Sequence, residues 1–425
     1  MNNLPKYLLF ILSILLISQT IPIATGYFAS FLLFLWLIKT GEWREGAFWL
    51  SGYNQSGQCD LRLTEAKKTT RWLYIGISLL AFSMLLSGFG AEFTSEYSTG
   101  LVKYLKEYSH YFLKFALLPW IIFTFCLSAI KKDYAITIPL KVLLVCLVAN
   151  LVYAIAQKYT GIDWVHGFDA KLGSHRFAYG IYRVSGFMAH PLTYAYNFGL
   201  MALTYFMVSK GAFDRKIYLF LATVALVTVL ISGSRFPVIG LIGILVLFEI
   251  KPILRHKAKV LPGLLALLGL LYFEGSFIKR FAEIFNNSAP IFERFPRLTF
   301  WHAHWEAWTD NILFGVGYSG GKEAMLTYYN VLGYHDKIYS AHNIFLQVLA
   351  DSGVIGLMGL IGFLVCLYKA AREHLAQKRG CSLLVILVAA IVFSLIQNSL
   401  RDSEFIFCLW ISIGVVLLTR RQQNN

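Results

Sequence analysis

The chain has 425 residues, of which 57% are hydrophobic and only 14% charged, with a formal net charge of +15 and a mean hydropathy of +0.60. Soluble domains carry about 25% charged residues, so this composition excludes an ordinary globular protein. The positive residues sit mainly in loops between apolar runs and on no single soluble face, which excludes a nucleic-acid partner and points to charge that sets membrane topology.

Apolar runs of about 15–20 residues recur from end to end, the length that crosses a bilayer as a helix. They predict an all-α polytopic membrane protein of about twelve transmembrane helices. The first two runs are Tyr7–Ile21 and Pro22–Ile38, joined by a very short turn. The basic stretch Lys39–Arg71 follows and is assigned to the cytoplasmic side. Spans three to six are expected near Trp72–Phe89, Tyr111–Ile130, Ile138–Ala156 and Pro191–Val208. Outer loops at Gly90–His110 and Gln157–Ala189 separate them, the second holding Trp164, His166, Asp169, Lys171, His175, Arg176 and Arg183. Spans seven and eight, Ile217–Leu230 and Val238–Ile250, are joined by ISGSRFP, which carries Arg235. The basic loop Lys251–Lys259 precedes a ninth span, Val260–Phe273. Spans ten to twelve are expected at Val354–Tyr368, Leu383–Ile396 and Phe405–Leu418.

This pattern divides the chain into nine spans over residues 1–273, a large outer loop over 274–352, and three spans with a cytoplasmic tail over 353–425. The large loop has its own order. Glu293–Asp310 reads as a helix after Pro296, with Arg297, Trp301, His304 and Trp308 on one face by their spacing. A turn-rich stretch, NILFGVGYSGG, comes next. A short amphipathic run follows His342 and Asn343 and stops at Asp351–Gly353, glycine being a helix stop signal.

Several chemistries lack their residues. There is no phosphate-binding G-x-x-x-x-G-K-[ST] loop and no dinucleotide fingerprint. His302 and Glu306 are four apart but do not make a zinc set by themselves. None of the six cysteines pairs at zinc-like spacing, and no disulfide, metal or cofactor is expected. The span centres lack ionisable residues apart from Lys114 toward one end, which argues against an ion-coupled transporter.

The outer face then holds Arg235, Arg297 and His342. Each has an ordinary structural role open to it. Arg235 at a membrane boundary would snorkel. Arg297 would stack on Trp301. A lone histidine is more often packing than catalysis.

Together they resemble a known family. His342-Asn343, nine residues, Gly353, two residues and Gly356 fit H-[NSQ]-x9-G-x2-[GTY], the pattern of bacterial O-antigen ligases within the O-antigen ligase and polymerase superfamily. The span count, the large loop before a late span, the SGSR turn and the Arg297-to-Gly317 stretch are similar to that family too. The resemblance implies an inner-membrane glycosyltransferase of lipopolysaccharide biosynthesis, with its site on the periplasmic face. Its donor would be a glycan on undecaprenyl pyrophosphate and its acceptor the lipid A–core. By the resemblance Arg235 and Arg297 bind the donor pyrophosphate, His342 is catalytic, and Asn343, Gly353 and Gly356 are motif positions.

The chemistry is consistent with that assignment. Arginine matches phosphate oxygens bidentately and stays charged, so two of them can replace a metal at a pyrophosphate leaving group. Histidine titrates near neutral pH and can take the acceptor hydroxyl proton. Attack opposite the leaving group would invert the anomeric centre. Asp402 and Glu404 form a weaker candidate pair, and Tyr318, Trp301 and Trp305 are candidate sugar-stacking rings. A polymerase joining lipid-linked repeat units, or a lipid or anion transporter, remains an alternative reading.

Overall fold

The computed structural model describes residues 5–20, 23–46, 61–132, 134, 137–167, 177–178, 181–188, 190–210, 212, 214–255, 296–318, 320–334, 339–376 and 382–419. The expected ninth span, Val260–Phe273, lies outside them, as do Asp169, Lys171, His175 and Arg176. Every other apolar run is helical. The helices are α1 (Lys6–Ile17), α2 (Ile23–Thr40), α3 (Leu61–Thr94), α4 (Leu101–Phe112), α5 (Leu118–Lys131), α6 (Thr137–Thr160), α7 (Pro191–Ser209) and α8 (Arg215–Ile231). They continue with α9 (Arg235–Arg255), α10 (Pro296–Asp310), α11 (Gly321–Val331), α12 (Ile344–Ala376), α13 (Ser382–Ile396) and α14 (Ser403–Leu418). A π-helical turn, Leu113–Leu117, joins α4 to α5, so the two run as one rod. The strand content among the described residues is a two-residue antiparallel pairing of Phe177–Ala178 with Ile181–Tyr182.

The chain is an all-α membrane protein. Four stretches, Leu63–Thr94, Leu101–Lys131, Thr137–Thr160 and Ile344–Ala376, are long and apolar enough to cross a bilayer. Four shorter apolar helices accompany them: Lys6–Ile17, Ala24–Thr40, Ser382–Ile396 and Ser403–Leu418. Large apolar side chains such as Phe82, Val145, Val152 and Met358 point outward, as a lipid-facing surface requires. α7 and α14 are buried nearly all round and form the centre of the bundle, since a helix apolar on every side needs neighbours on every side.

Two expected loops are in part helix. The stretch before Arg71 is helical from Leu61, which makes α3 34 residues long. At 1.5 Å per residue that is about 50 Å, against about 30 Å of hydrocarbon. Its first turns therefore extend past an apolar layer, and Lys67 there pairs with Glu45 at 3.3 Å. Lys131 and Lys132 at the end of α5 pair with Glu45 and Glu42 at 2.7 and 2.6 Å. The stretch Gly90–His110 is likewise mostly the end of α3 and the start of α4. Turn composition in both places is outweighed by helical continuation from the adjoining apolar run.

The opposite end of α3 carries the large loop. α3 and α12 are the most extensively packed pair of helices. Small residues allow the approach: Gly359 lies directly over Ser83, and Gly76 over Cys366. Beyond them the Ser87 hydroxyl donates to the carbonyls of Ser352 at 2.7 Å and Phe314 at 3.1 Å. This bond ties the turn after α10 and the N-terminal part of α12 to the same helix.

α12 is broken at Gly353, where φ is +59° and ψ −161°, a conformation open essentially to glycine alone. A side chain there would stand 2.3 Å from the Leu313 carbonyl carbon and oxygen. Gly315, at φ +70°, faces the backbone of Ala350–Ser352 just as closely. The two backbones are bonded in register: Val316 N–H to Ala350 O at 2.8 Å, Gly317 N–H to Asp351 O at 3.1 Å, and Val354 N–H to Ile312 O at 2.9 Å. The glycine of the motif is thus a docking position for the G-x-G turn.

Gly353→Ala is expected to lower stability by at least about 1–3 kcal/mol from backbone strain alone, and to make the loop protease-sensitive. Gly362→Ala is the control: its added methyl meets only the flexible Leu79 side chain at 3.5 Å. A melt and limited proteolysis in detergent check both, and equal behaviour of the two variants would refute the docking role.

Candidate functional site

α10 turns Phe300, Ala303 and Ala307 inward, with Trp301 half-buried beside them. Ala303, His304 and Ala307 are buried, and Trp301 donates its indole N–H to the Ala341 carbonyl at 2.9 Å. Trp301 is therefore a support for the loop carrying His342. Arg297 does not stack on it as expected; its guanidinium lies over the Phe236 ring at 4.7 Å. The first turns of α9 and α10 meet there, and Phe236 is the sequence neighbour of Arg235.

Asn343 opens α12. Its side-chain oxygen accepts from the backbone N–H groups of Phe345 at 3.0 Å and Leu346 at 3.3 Å. That is an N-cap, for which asparagine is among the best residues, and it explains the small polar residue after the histidine. His342 precedes the cap with φ +50°, the one described non-glycine residue with positive φ. Gln347, one turn into α12, accepts from Ala341 N–H at 2.9 Å and from the Asn398 amide at 2.7 Å. Asn398 also donates to the Ser340 hydroxyl at 2.8 Å. The loop carrying His342 is held from three sides.

The imidazole is oriented by a residue from outside the motif. His342 Nδ1 lies 2.6 Å from Gln397 Oε1, at the end of α13. An amide oxygen only accepts, so Nδ1 carries the proton and Nε2 keeps its lone pair. Burial pushes the His342 pKa below its usual value; the Gln397 bond opposes that, and the charge of Arg297 lowers it further. Arg297 therefore lies within electrostatic reach of His342. Burial also lowers the Arg297 pKa, opposed by Tyr196, though a guanidinium stays charged. Among the described residues no carboxylate pairs with Arg297.

The structure thus brings Arg297 and His342 together and sets Arg235 next to the ring under Arg297. Arg183, from the loop before α7, donates to the Ser234 hydroxyl at 3.3 Å and belongs to the same cluster. Two residues were missed from sequence, Gln397 and Arg183. Gln397 carried no signal, being one amide after an apolar run. Arg183 was one of several cations in a long loop.

Other candidates are placed elsewhere. The Asp402 carboxylate caps α14, accepting from Glu404 N–H at 2.9 Å and from the Thr193 hydroxyl. Tyr318 lies under Arg401 at 4.6 Å, and Arg401 is paired with Asp351. Tyr318, Arg401, Asp351, Lys114 and Tyr111 line a separate cavity between α3, the π-turn and α12. Trp305 is exposed and stays open to a ligand. His302 contacts Glu306 at 3.4 Å and the Tyr334 hydroxyl at 3.0 Å.

Residues 219–361 match a family model described as O-Antigen ligase, a stretch that contains Arg235, Arg297, His342, Asn343, Gly353 and Gly356. The match supports the O-antigen ligase and polymerase superfamily, and with it a membrane enzyme that transfers glycans. No curated protein matches the chain.

A depressed His342 pKa fixes the sign of its titration. The neutral ring predominates above the folded pKa, which lies below the ordinary 6.5, so protonation is delayed to more acid pH. Histidine hydrogen-exchange mass spectrometry should give a His342 midpoint below 6.5, rising in Arg297→Ala as the repelling cation is removed. An unchanged midpoint in that variant would refute the coupling.

Proposed function

We propose that this chain, whose residues 219–361 match the O-Antigen ligase family model, moves O-antigen polysaccharide from undecaprenyl pyrophosphate to a sugar hydroxyl of lipid A–core. One observation carries the reading. Arg297 is a half-buried cation with no carboxylate partner among the described residues, within electrostatic reach of a histidine whose Nδ1 is held by Gln397 and whose Nε2 keeps its lone pair. A buried charge is normally paired, so its counterion comes with a ligand, and lipid pyrophosphate is an anion held at membrane level.

In this reading Arg297 and Arg235 hold the pyrophosphate and neutralise the charge that develops as it leaves. His342 Nε2 accepts the proton of the attacking acceptor hydroxyl. The oxygen attacks the anomeric carbon from the side opposite the pyrophosphate, so the glycan is transferred with inversion. Arginine supplies the electrostatic role that a divalent cation plays elsewhere, and transfer is independent of added metal. The site faces the periplasm of a twelve-span inner-membrane protein, with the basic stretches near Lys39–Arg71 and Lys251–Lys259 in the cytoplasm.

Purified protein assayed with a lipid-linked glycan and lipid A–core is the direct test. Arg235→Ala and Arg297→Ala should each lose about 10²–10³ in rate, with lysine rescuing only in part because it lacks the fork. Wild-type activity in Arg235→Ala would return that residue to snorkelling. His342→Ala should lose about 10²–10⁴ yet retain donor binding. His342→Gln should stay inactive, since an amide cannot take a proton at neutral pH; a normal rate there would remove the general-base role.

Activity should survive EDTA and decline only at pH below the depressed His342 pKa. Product made from the lipid-linked donor alone, without lipid A–core, would identify a polymerase instead. Labelling of a cysteine placed at Lys322 from the cytoplasmic side would overturn the topology and the mechanism with it.

A further inference from the structure

Tyr196, on α7, is 1% exposed, and its hydroxyl is a buried polar atom with no hydrogen-bond partner among the described residues. The ring itself is well seated, 5.0 Å from Phe393 on α13. Buried hydroxyls ordinarily find an acceptor, and leaving one unmade is costly. Among the described residues, Arg297 and Arg183 lie within electrostatic reach of this oxygen. Both are cations and neither accepts a hydrogen bond.

Arg183 is held in place. Gly186, three residues on, gives its N–H to the Gln157 side-chain oxygen at 2.9 Å and takes the Gln157 amide at 3.2 Å on its carbonyl. Asn150 accepts from the Tyr194 hydroxyl at 2.8 Å just below. The guanidiniums of Arg183 and Arg297 then converge on the first turn of α9, one at Ser234 and the other over Phe236. An O–H donor with no acceptor among the described residues, within reach of two cations, lacks one thing: an anionic oxygen.

We propose that the Tyr196 hydroxyl is a further donor to the lipid-linked pyrophosphate, binding a phosphoryl oxygen together with Arg297 and Arg183. The inference rests on the reading of Arg297 as a pyrophosphate ligand and extends it to two residues outside the matched segment 219–361. Tyr196 adds a neutral donor where a further cation would only add repulsion in the empty site. It also connects binding to catalysis through one helix, because α13 packs on Tyr196 at Phe393 and, one turn later, holds His342 through Gln397.

The test is Tyr196→Phe in the full chain, purified in detergent, with undecaprenyl pyrophosphate and inorganic pyrophosphate as probes. Phenylalanine keeps the ring and removes only the unpartnered oxygen. The variant should melt at or above the wild-type temperature without probe, bind either probe about 10–100-fold more weakly, and lose transfer in proportion. A purely structural hydroxyl would lower the melting temperature and leave binding alone.

Wild-type affinity in Tyr196→Phe, with binding lost in Arg297→Ala, would overturn this inference and leave the function standing. Wild-type affinity in both would overturn both. Should Tyr196→Phe fail to fold, 3,5-difluorotyrosine at position 196 replaces it. Its more acidic phenol, kept protonated at pH 6, should bind pyrophosphate more tightly, and unchanged affinity would refute the contact.

Discussion

The docking of two backbones at Gly353 and Gly315 is the constraint on which the rest of the structure depends. Residues Ile312–Gly317 and Ala350–Ile355 bond directly through their main chains, with no side chain between them. Ser87 on α3 then donates to both segments. The large loop is thereby joined to the most closely packed helix pair in the bundle. Side-chain packing alone would leave the loop free to slide; backbone bonds at two glycines give it one register.

That register sets the chemistry. α10 runs into the docked turn, so its first residue after Pro296, Arg297, is delivered to the start of α9. The N-terminal part of α12 runs into the same turn from the other side, so its cap, Asn343, delivers His342. A basic residue and a titratable one, 45 positions apart, are brought together because both helices end on one pair of glycines. The last turn of α13 completes the arrangement with Gln397, a neutral acceptor. A carboxylate there would raise the histidine pKa; the amide orients the ring and leaves burial and Arg297 to lower it.

The electrostatics of the cluster are one-sided. Elsewhere several buried charges are paired: Arg401 with Asp351, and Glu45 with Lys67 and Lys131. Around the start of α9 the chain places Arg297 without a carboxylate and a tyrosine hydroxyl without an acceptor among the described residues. An uncompensated buried cation is costly to stability, and such costs persist where a ligand offsets them. The contrast within one chain is what distinguishes this cluster from its structural ion pairs.

Much of this was determined by the sequence alone. Apolar runs of bilayer length give helices whatever their neighbours, because main-chain groups in lipid have no other partner; each described run is accordingly a helix. The spacing from His342 to Gly353 marked the motif, and the period of Arg297, Trp301 and His304 set them on one helix face. Helix ends were less legible. Leu61–Arg71 and Leu101–His110 look like polar loop, yet they continue neighbouring helices, because a helix extends past an apolar layer at little cost. Three things were decided only by tertiary structure: that Arg297 stacks on Phe236 and not on Trp301, that Gln397 orients His342, and that Tyr196 and Arg183 adjoin the same cluster. Each is a contact between residues tens to hundreds of positions apart. Local periodicity carries no information about such pairs; the packing of α7, α9, α10 and α13 around two docked glycines creates them.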